Sequence, residues 1–231
     1  MSEALRKAWE HLKATNPKYL GGTTGAVRHT LPTGKKVVVK RGGHPAHIRN
    51  EFDFNRYLNE IGVGVPDAVE EKDVDGQPLM VSEYEEGAVR PSIRNEAHME
   101  ALRRDFTPQA LIANWDLLGM DMDNTLIRPD GTPTAVDVGG SGPYRAQGQH
   151  KNTTITGFSP TVGELDSMRW SGDLAPNRGN VYGGMGEEEM GRSFDTYGGQ
   201  SAMERALSTL RDAQTRNIMQ QRIEDVARRV A

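Results

Sequence analysis

The segment Lys36-Val37-Val38-Val39-Lys40 constrains this chain more than any other. β-Branched side chains lose rotamer freedom in a helix and fit a pleated strand, so three in a row between charged residues read as a short strand. Ahead of it stand Gly21-Gly22-Thr23-Thr24-Gly25 and Ala26-Val27-Arg28, with Pro32-Thr33-Gly34 as a turn. The pattern predicts a β-hairpin. A helix over 44–61 follows. Pro45 sits in its first turn, Ile48, Phe52, Leu58 and Ile61 form its apolar face, and Gly62 and Gly64 stop it. Two strands near 67–72 and 78–84 are joined by Asp75-Gly76. Before all of these, Leu5, Trp9 and Leu12 mark a helix over 3–14, ended at Asn16-Pro17.

Later periodicities are helical. Residues 94–118 read as helix in two pieces, broken at Thr107-Pro108. A second hairpin spans 124–128 and 133–137, turned at Pro129-Asp130-Gly131. The stretch 139–200, rich in Gly, Ser, Thr, Asn and Pro, predicts loops and short helices, with Glu187-Glu188-Glu189 in a helical first turn. Residues 201–230 read as one helix with Met203, Leu207, Leu210, Met219, Ile223, Val226 and Val230 in its buried stripe. A sheet-rich first part and a helical second part make an α+β chain, with the boundary near 83–91.

Composition narrows the function classes. With 231 residues, of which 35% are hydrophobic, the chain suits one domain with a modest core. A net charge of -4 is unlike the footprint of a nucleic-acid binder. No apolar run of about 18 residues predicts a membrane span, and Met1–Lys13 lacks the apolar stretch of a secretory signal. With no cysteine, disulfides, thiolate metal sites and a Cys nucleophile are excluded, which fits a cytoplasmic protein. His44 and His47 show no third ligand nearby in sequence, so the histidines read as structural or solvated. Trp115 and Trp170 read as packing residues.

Three groups of residues can carry chemistry. Glycines at 21, 22 and 25, with Thr23 and Thr24, allow backbone N–H groups to approach a phosphate, or they form only a turn. Lys40, at the end of the valine strand, is placed to reach phosphates or to be an ordinary edge lysine. Glu51, on the apolar side of the following helix, needs a partner if it is buried, and Lys40 is the candidate. The third group is the densest: Asp116, Asp121, Asp123, Asn124 and Asp137 supply hard oxygen ligands around the second hairpin. Such ligands suit Mg²⁺, and the spacing does not fit a helix-loop-helix Ca²⁺ loop. Alternatively Asp123 and Asn124 open a turn and Asp137 caps the glycine-rich segment. Arg145 and Lys151 follow as residues that either reach a phosphate or lie on a surface loop.

In this order, the glycine cluster, Lys40, Asn50-Glu51, Tyr84, Asn114-Trp115-Asp116, Asn124 and Asp137-Val138-Gly139 resemble the protein-kinase-like superfamily. The likeness is to its divergent branches: HipA-like kinases, actin-fragmin kinase and the phosphatidylinositol kinases. It covers roughly residues 20–150. The resemblance implies a small bilobal kinase-like fold, a single domain over 1–231 with an N-lobe of about 1–86 and a C-lobe of about 87–231. It implies ATP and Mg²⁺ as ligands and an unidentified protein or small-molecule acceptor, with neither nucleic acid nor membrane as partner. Gly21, Gly22, Thr23, Thr24 and Gly25 would cover the phosphates. Lys40 would bind them, held by Glu51, and Glu83 and Tyr84 would flank the adenine. Asp116 or Asp121 would act on the acceptor hydroxyl, and Asn124 and Asp137 would bind Mg²⁺. Asp116 and Asn124 are eight residues apart, where a protein kinase has about five. No His-Arg-Asp and no Ala-Pro-Glu is present. The alternative is a catalytically inactive kinase-like fold acting as a binding or structural module, such as a virion-associated one, and a secreted effector stays open beside the cytoplasm as a location. A sugar- or aminoglycoside-type phosphotransferase, with Glu85, Glu86, Asp121 and Asp123 near an acceptor pocket, is a third reading.

Overall fold

The computed structural model describes residues 18–20, 25–31, 33–151, 157–172 and 176–230. The helix expected over 3–14 and residues 21–24 of the glycine cluster lie outside the described residues.

Five strands form one antiparallel sheet: β1 (Lys18–Tyr19), β2 (Val27–Thr30), β3 (Lys36–Lys40), β4 (Ala68–Lys72) and β5 (Pro78–Glu83), in the order β1-β2-β3-β5-β4. The valine run pairs on both sides, with Val39 opposite Val27 on β2 and opposite Val81 on β5. Alternation puts Val37 and Val39 into a small core with Leu31, Val69, Leu79 and Val81. It therefore puts Val38 and Lys40 on the other face. Helix α1 (Pro45–Ile61) lies between β3 and β4 in the chain and touches β4 and β5. The His44 ring caps its first turn by accepting from the His47 N–H at 3.3 Å, and Gly62, at φ 88°, closes its other end.

The buried side of α1 differs from the sequence reading. Phe54, Tyr57, Leu58 and Ile61 join the larger core, whereas Phe52 is half-buried under the guanidinium groups of Arg56 and Arg211. An aromatic ring covered by cations satisfies its apolar area without entering the core. The helix thus roots the sheet in the helical half of the molecule.

That half comprises α2 (Glu96–Arg104), α3 (Phe106–Leu111), a hairpin of β6 (Thr125–Ile127) and β7 (Pro133–Ala135), then α4 (Glu164–Ser167), α5 (Arg178–Tyr182), α6 (Glu187–Thr196), α7 (Gly199–Ala206) and α8 (Ala213–Val230). The architecture is α+β, sheet-rich first and helical second. Two helical expectations need correction. The break near Thr107-Pro108 falls at Asp105, because Pro108 lies in the first turn of α3, where a missing N–H costs nothing. Helix α3 ends at Leu111, well before 118, where Ala113 turns left-handed at φ 55°. The expected helix over 201–230 is also interrupted. A 3₁₀ turn, Leu207–Thr209, leads to an extended Leu210, and Asp212 restarts the chain by accepting from the Thr215 N–H at 2.6 Å.

The connection between halves is fastened. Glu85 accepts from Arg128 Nε at 2.9 Å and Nη2 at 2.7 Å, and Val89 bridges to Ile127. Among the described residues no helix is long and apolar enough to cross a membrane.

Candidate functional site

Lys40 closes β3 on the face away from the valine core, and its ammonium donates to Glu51 Oε1 at 2.7 Å and to the Val136 carbonyl at 3.0 Å. Asp137 Oδ2 lies 3.5 Å away. Lys40 and Glu51 side chains are 5% and 0% exposed, whereas Asp137 keeps 27% and so faces open space. Burial alone pulls the ammonium down, but Asp137 and then Glu51 outweigh it and hold Lys40 above its ordinary range. Glu51 is raised, by burial first, with Lys40 opposing and Asp137 adding to the rise. Two carboxylates thus share one cation.

Asp137 is set by its own turn, Oδ1 accepting from the Gly139 N–H at 3.0 Å. The segment after it folds back along α1. His47 Nδ1 accepts from the Gly43 N–H at 2.9 Å, so its Nε2 carries the proton and donates to the Gly139 carbonyl at 2.8 Å. Asn50 donates to the Ser141 carbonyl at 3.0 Å, and Tyr144 packs on His44, His47 and His150. At Gly142, φ 59°, a Cβ would come within 2.3 Å of the Phe54 ring, so only glycine lets the segment lie this close.

The β6–β7 hairpin brings Asn124 to Asp137: the Asn124 carbonyl accepts from Val136 N–H at 2.9 Å and from Asp137 N–H at 3.4 Å. The Asn124 amide nitrogen donates to the Asp116 carbonyl at 2.7 Å, which leaves its amide oxygen as the atom able to ligate. Burial pushes Asp116 up to about 6, and the negative charge of Asp137 adds to that. Gly119, at φ 67°, turns the loop where a Cβ would lie 2.5 Å from Asp123 Oδ1. Asp121 is exposed at the loop tip, and Asp123 pairs with Arg90 at 3.4 Å. The structure therefore brings Lys40, Glu51, Asp116, Asn124 and Asp137 together and leaves Asp121 outside. Glu83 pairs with Lys35, and Tyr84 donates its N–H to the Lys36 carbonyl at 3.2 Å beneath the cations of Arg28 and Lys36. Gly25 takes φ 67° just before β2.

Two residues near this cluster have roles the sequence left open or hid. Lys151 is half-buried, and its ammonium donates to the carbonyls of Ala113 at 2.7 Å, Gly140 at 2.6 Å and Gly142 at 2.9 Å. All its donors are used, so it ties the Asp116 loop to the Asp137 loop instead of reaching toward a phosphate. Burial pushes it down to about 7, while the three carbonyls favour the charged form. Arg145 is exposed in a turn. Arg178, which lies in no motif, stacks on Trp115 with its guanidinium carbon 5.5 Å from the ring centroid. Burial lowers its pKa and Asp116 opposes that. Trp170, expected to pack, is 69% exposed.

Two open grooves of about 520 and 620 Å³ lie elsewhere and include none of these residues. The first is lined by charges that pair with each other, such as Arg103 with Glu189 at 4.0 Å, so it lacks a convergent reactive set.

No protein-family model matches the sequence. No curated protein matches it either. Solved structures do. The kinase domain of maize SIRK1 (sucrose-induced receptor kinase 1) bound to AMP-PNP aligns over 96% of each chain at 14% identity and a TM-score of 0.41. The pseudokinase domain of BIR2, an immune regulator of the RLK/Pelle family, aligns over 98% of this chain and 77% of its own at 13% identity and a TM-score of 0.38. MAP kinase LmaMPK10 of Leishmania major aligns over 90% of this chain and 66% of its own at 10% identity and a TM-score of 0.32. Scores this low carry no functional weight.

Proposed function

We propose that this chain is a small kinase-like phosphotransferase of a divergent, HipA-like kind, which binds ATP with Mg²⁺ and transfers the γ-phosphoryl group to a hydroxyl of a protein or small molecule. The buried Lys40–Glu51 pair beside the half-open Asp137 supports it above all. Burying two charges costs more than their attraction returns unless something else uses the arrangement. Phosphoryl transfer uses it, because a lysine held by a glutamate positions phosphate oxygens.

The donor set also fits Mg²⁺. Among the described residues no group of three or more His, Cys, Asp or Glu side chains is arranged to hold a metal by itself. One carboxylate, Asp137, and the amide oxygen of Asn124 suit an ion that completes its shell with waters and phosphate oxygens. When bound, the ion would neutralise charge developing on those oxygens. Asp116 would accept the proton of the acceptor hydroxyl. The acceptor oxygen then bonds to the γ-phosphorus as the bond from that phosphorus to the β,γ-bridging oxygen breaks, and ADP leaves with the bridging electrons. Backbone groups of residues 83–86 would hold the adenine, and Gly21–Gly25 would lie over the phosphates. One domain with its lobes meeting near Tyr84–Val89 carries the site, and an exposed Asp121 leaves Asp116 as the acid-base group. The alternative, an inactive binding module, is favoured by the long interval from Asp116 to Asn124.

Calorimetric titration of ATP with and without Mg²⁺, on wild type and Asp137→Ala, tests the reading. Mg²⁺-dependent binding that weakens at least tenfold in the variant is expected, since a lost charge-assisted contact removes about 1.5 kcal/mol or more. No binding to either protein would sink it.

A further inference from the structure

Helix α1 sets two side chains, one turn apart, against the charged cluster. Glu51 holds the Lys40 ammonium. One turn earlier on the same face stands His47, 0% exposed and hydrogen-bonded at both ring nitrogens. A buried imidazole with two partners can be a satisfied core residue and nothing more. Its partners point further. Gly43, just after β3, donates its N–H to Nδ1, and Nε2 donates to the Gly139 carbonyl. Gly139 is also the residue whose N–H fixes Asp137 Oδ1 at 3.0 Å.

These groups converge. A Cβ built on Gly139 would lie 3.1 Å from Glu51 Oε2, 3.2 Å from Asp137 Oδ1 and 3.3 Å from His47 Nε2. Glycine therefore suits the position, but it has the widest backbone freedom of any residue. The direction of its N–H depends on what grips its other side, and His47 grips its carbonyl. The same segment is fastened again at its far end, where His44 Nε2 donates to the Gly148 carbonyl at 2.9 Å. That second contact touches neither Asp137 nor Gly139.

We infer that His47 is a positioning residue for Mg²⁺ binding, which aims the Asp137 carboxylate through Gly139 as Glu51 steadies Lys40. The inference rests on the phosphotransferase reading, in which Asp137 ligates the ion. One turn of α1 then sets both the cation and the carboxylate. Groups that orient a metal ligand without touching the metal matter for affinity by about 10- to 100-fold.

Two amides that mimic an imidazole separate its nitrogens. In His47→Gln the side-chain amide reaches the place of Nε2 and can donate to Gly139. In His47→Asn the amide oxygen stands near the place of Nδ1 and accepts from Gly43, but nothing reaches Gly139. ATP is titrated by calorimetry with and without Mg²⁺, and the ratio of the two affinities is the readout. It should fall about tenfold in His47→Asn and stay within about threefold of wild type in His47→Gln. His44→Ser keeps a helix-capping oxygen and drops the Gly148 contact, so its ratio should match wild type. In the metal-free protein, exchange of the Gly139 amide should quicken about tenfold in His47→Asn and not in His47→Gln. Should His47→Asn fail to fold, His47→Leu takes its place, since it also leaves Gly139 unheld and buries no extra polar group. An unchanged ratio in His47→Asn, or an equal loss in His47→Gln or His44→Ser, overturns the inference and leaves the phosphotransferase reading standing. Wild type that binds no nucleotide brings down that reading and the inference together.

Discussion

Buried charge is handled differently in the two halves of this molecule. Under the sheet, charge meets charge: Lys40 lies against Glu51 and Asp137. Among the helices, neutral dipoles take most of the contacts, even where a buried ion pair such as Arg222–Glu164 is present. Lys151 is held by three carbonyls, Arg222 donates to the carbonyls of Ala110, Leu111 and Ser159 as well as to Glu164, and Asp105 leans on the Tyr197 hydroxyl. Ion pairs are strong only while both members are present, whereas a ring of dipoles organises backbone and spreads the load. The first arrangement suits a place where a ligand's charge joins the balance. The second suits loops that must be held still around it.

The largest effect should come from breaking the ion pair. Lys40→Met leaves Glu51 buried without its cation, and urea denaturation should show a loss of about 3 kcal/mol or more. Nucleotide binding should disappear with it. Adding Glu51→Leu should recover much of the stability but none of the binding, which separates the structural from the ligand contribution.

Lys151→Met tests the dipole ring. The carbonyls of Ala113, Gly140 and Gly142 lose their common donor, so the urea midpoint should fall by the equivalent of about 2 kcal/mol. Fast amide exchange at Asn114–Asp116 and Gly139–Gly142 should appear together, because one side chain holds both loops.

A pH series on Asp105→Asn probes a dipole-held acid. Burial pushes the Asp105 carboxyl up to about 7. Its folded pKa thus exceeds its unfolded value, the unfolded chain releases the proton first, and stability falls as pH rises from about 4 to 7. Wild type should lose roughly 3 kcal/mol over that window relative to the asparagine variant, whose curve lacks this slope.

The smallest effect is expected at Arg178→Met. Its removal takes away unpaired donors along with the stack, and a similar apolar shape replaces them, so stability should change by less than about 0.5 kcal/mol. A large loss there would place Arg178 with Lys151 as a structural residue and erase the distinction between the halves.

These residues also mark where the sequence could be read. Val37–Val39, the helix from Pro45 and the two hairpins were legible because alternation, proline and turn glycines act locally. Glu51 could be matched to Lys40 because one strand and the next helix carry them. Lys151 could not be matched to its partners, since backbone carbonyls leave no trace in residue identity. Arg178 met Trp115 only through the folding of the whole helical half. The helix end at Leu111 and the restart at Asp212 were missed for a related reason: tertiary contacts there, such as Arg211 on Asp53 at 2.7 Å, outweigh weak helical preference. Asp212, a residue type that favours helix starts, was the available signal.

The fastening of α1 has a further consequence. His44, His47 and Asn50 are tied to the segment after Asp137, and Phe54 to Ile61 are embedded in the helical core. A helix gripped along its length by the very segment that carries Asp137 has no outward position to swing to. The Lys40–Glu51–Asp137 cluster is therefore set by the packing of the fold itself.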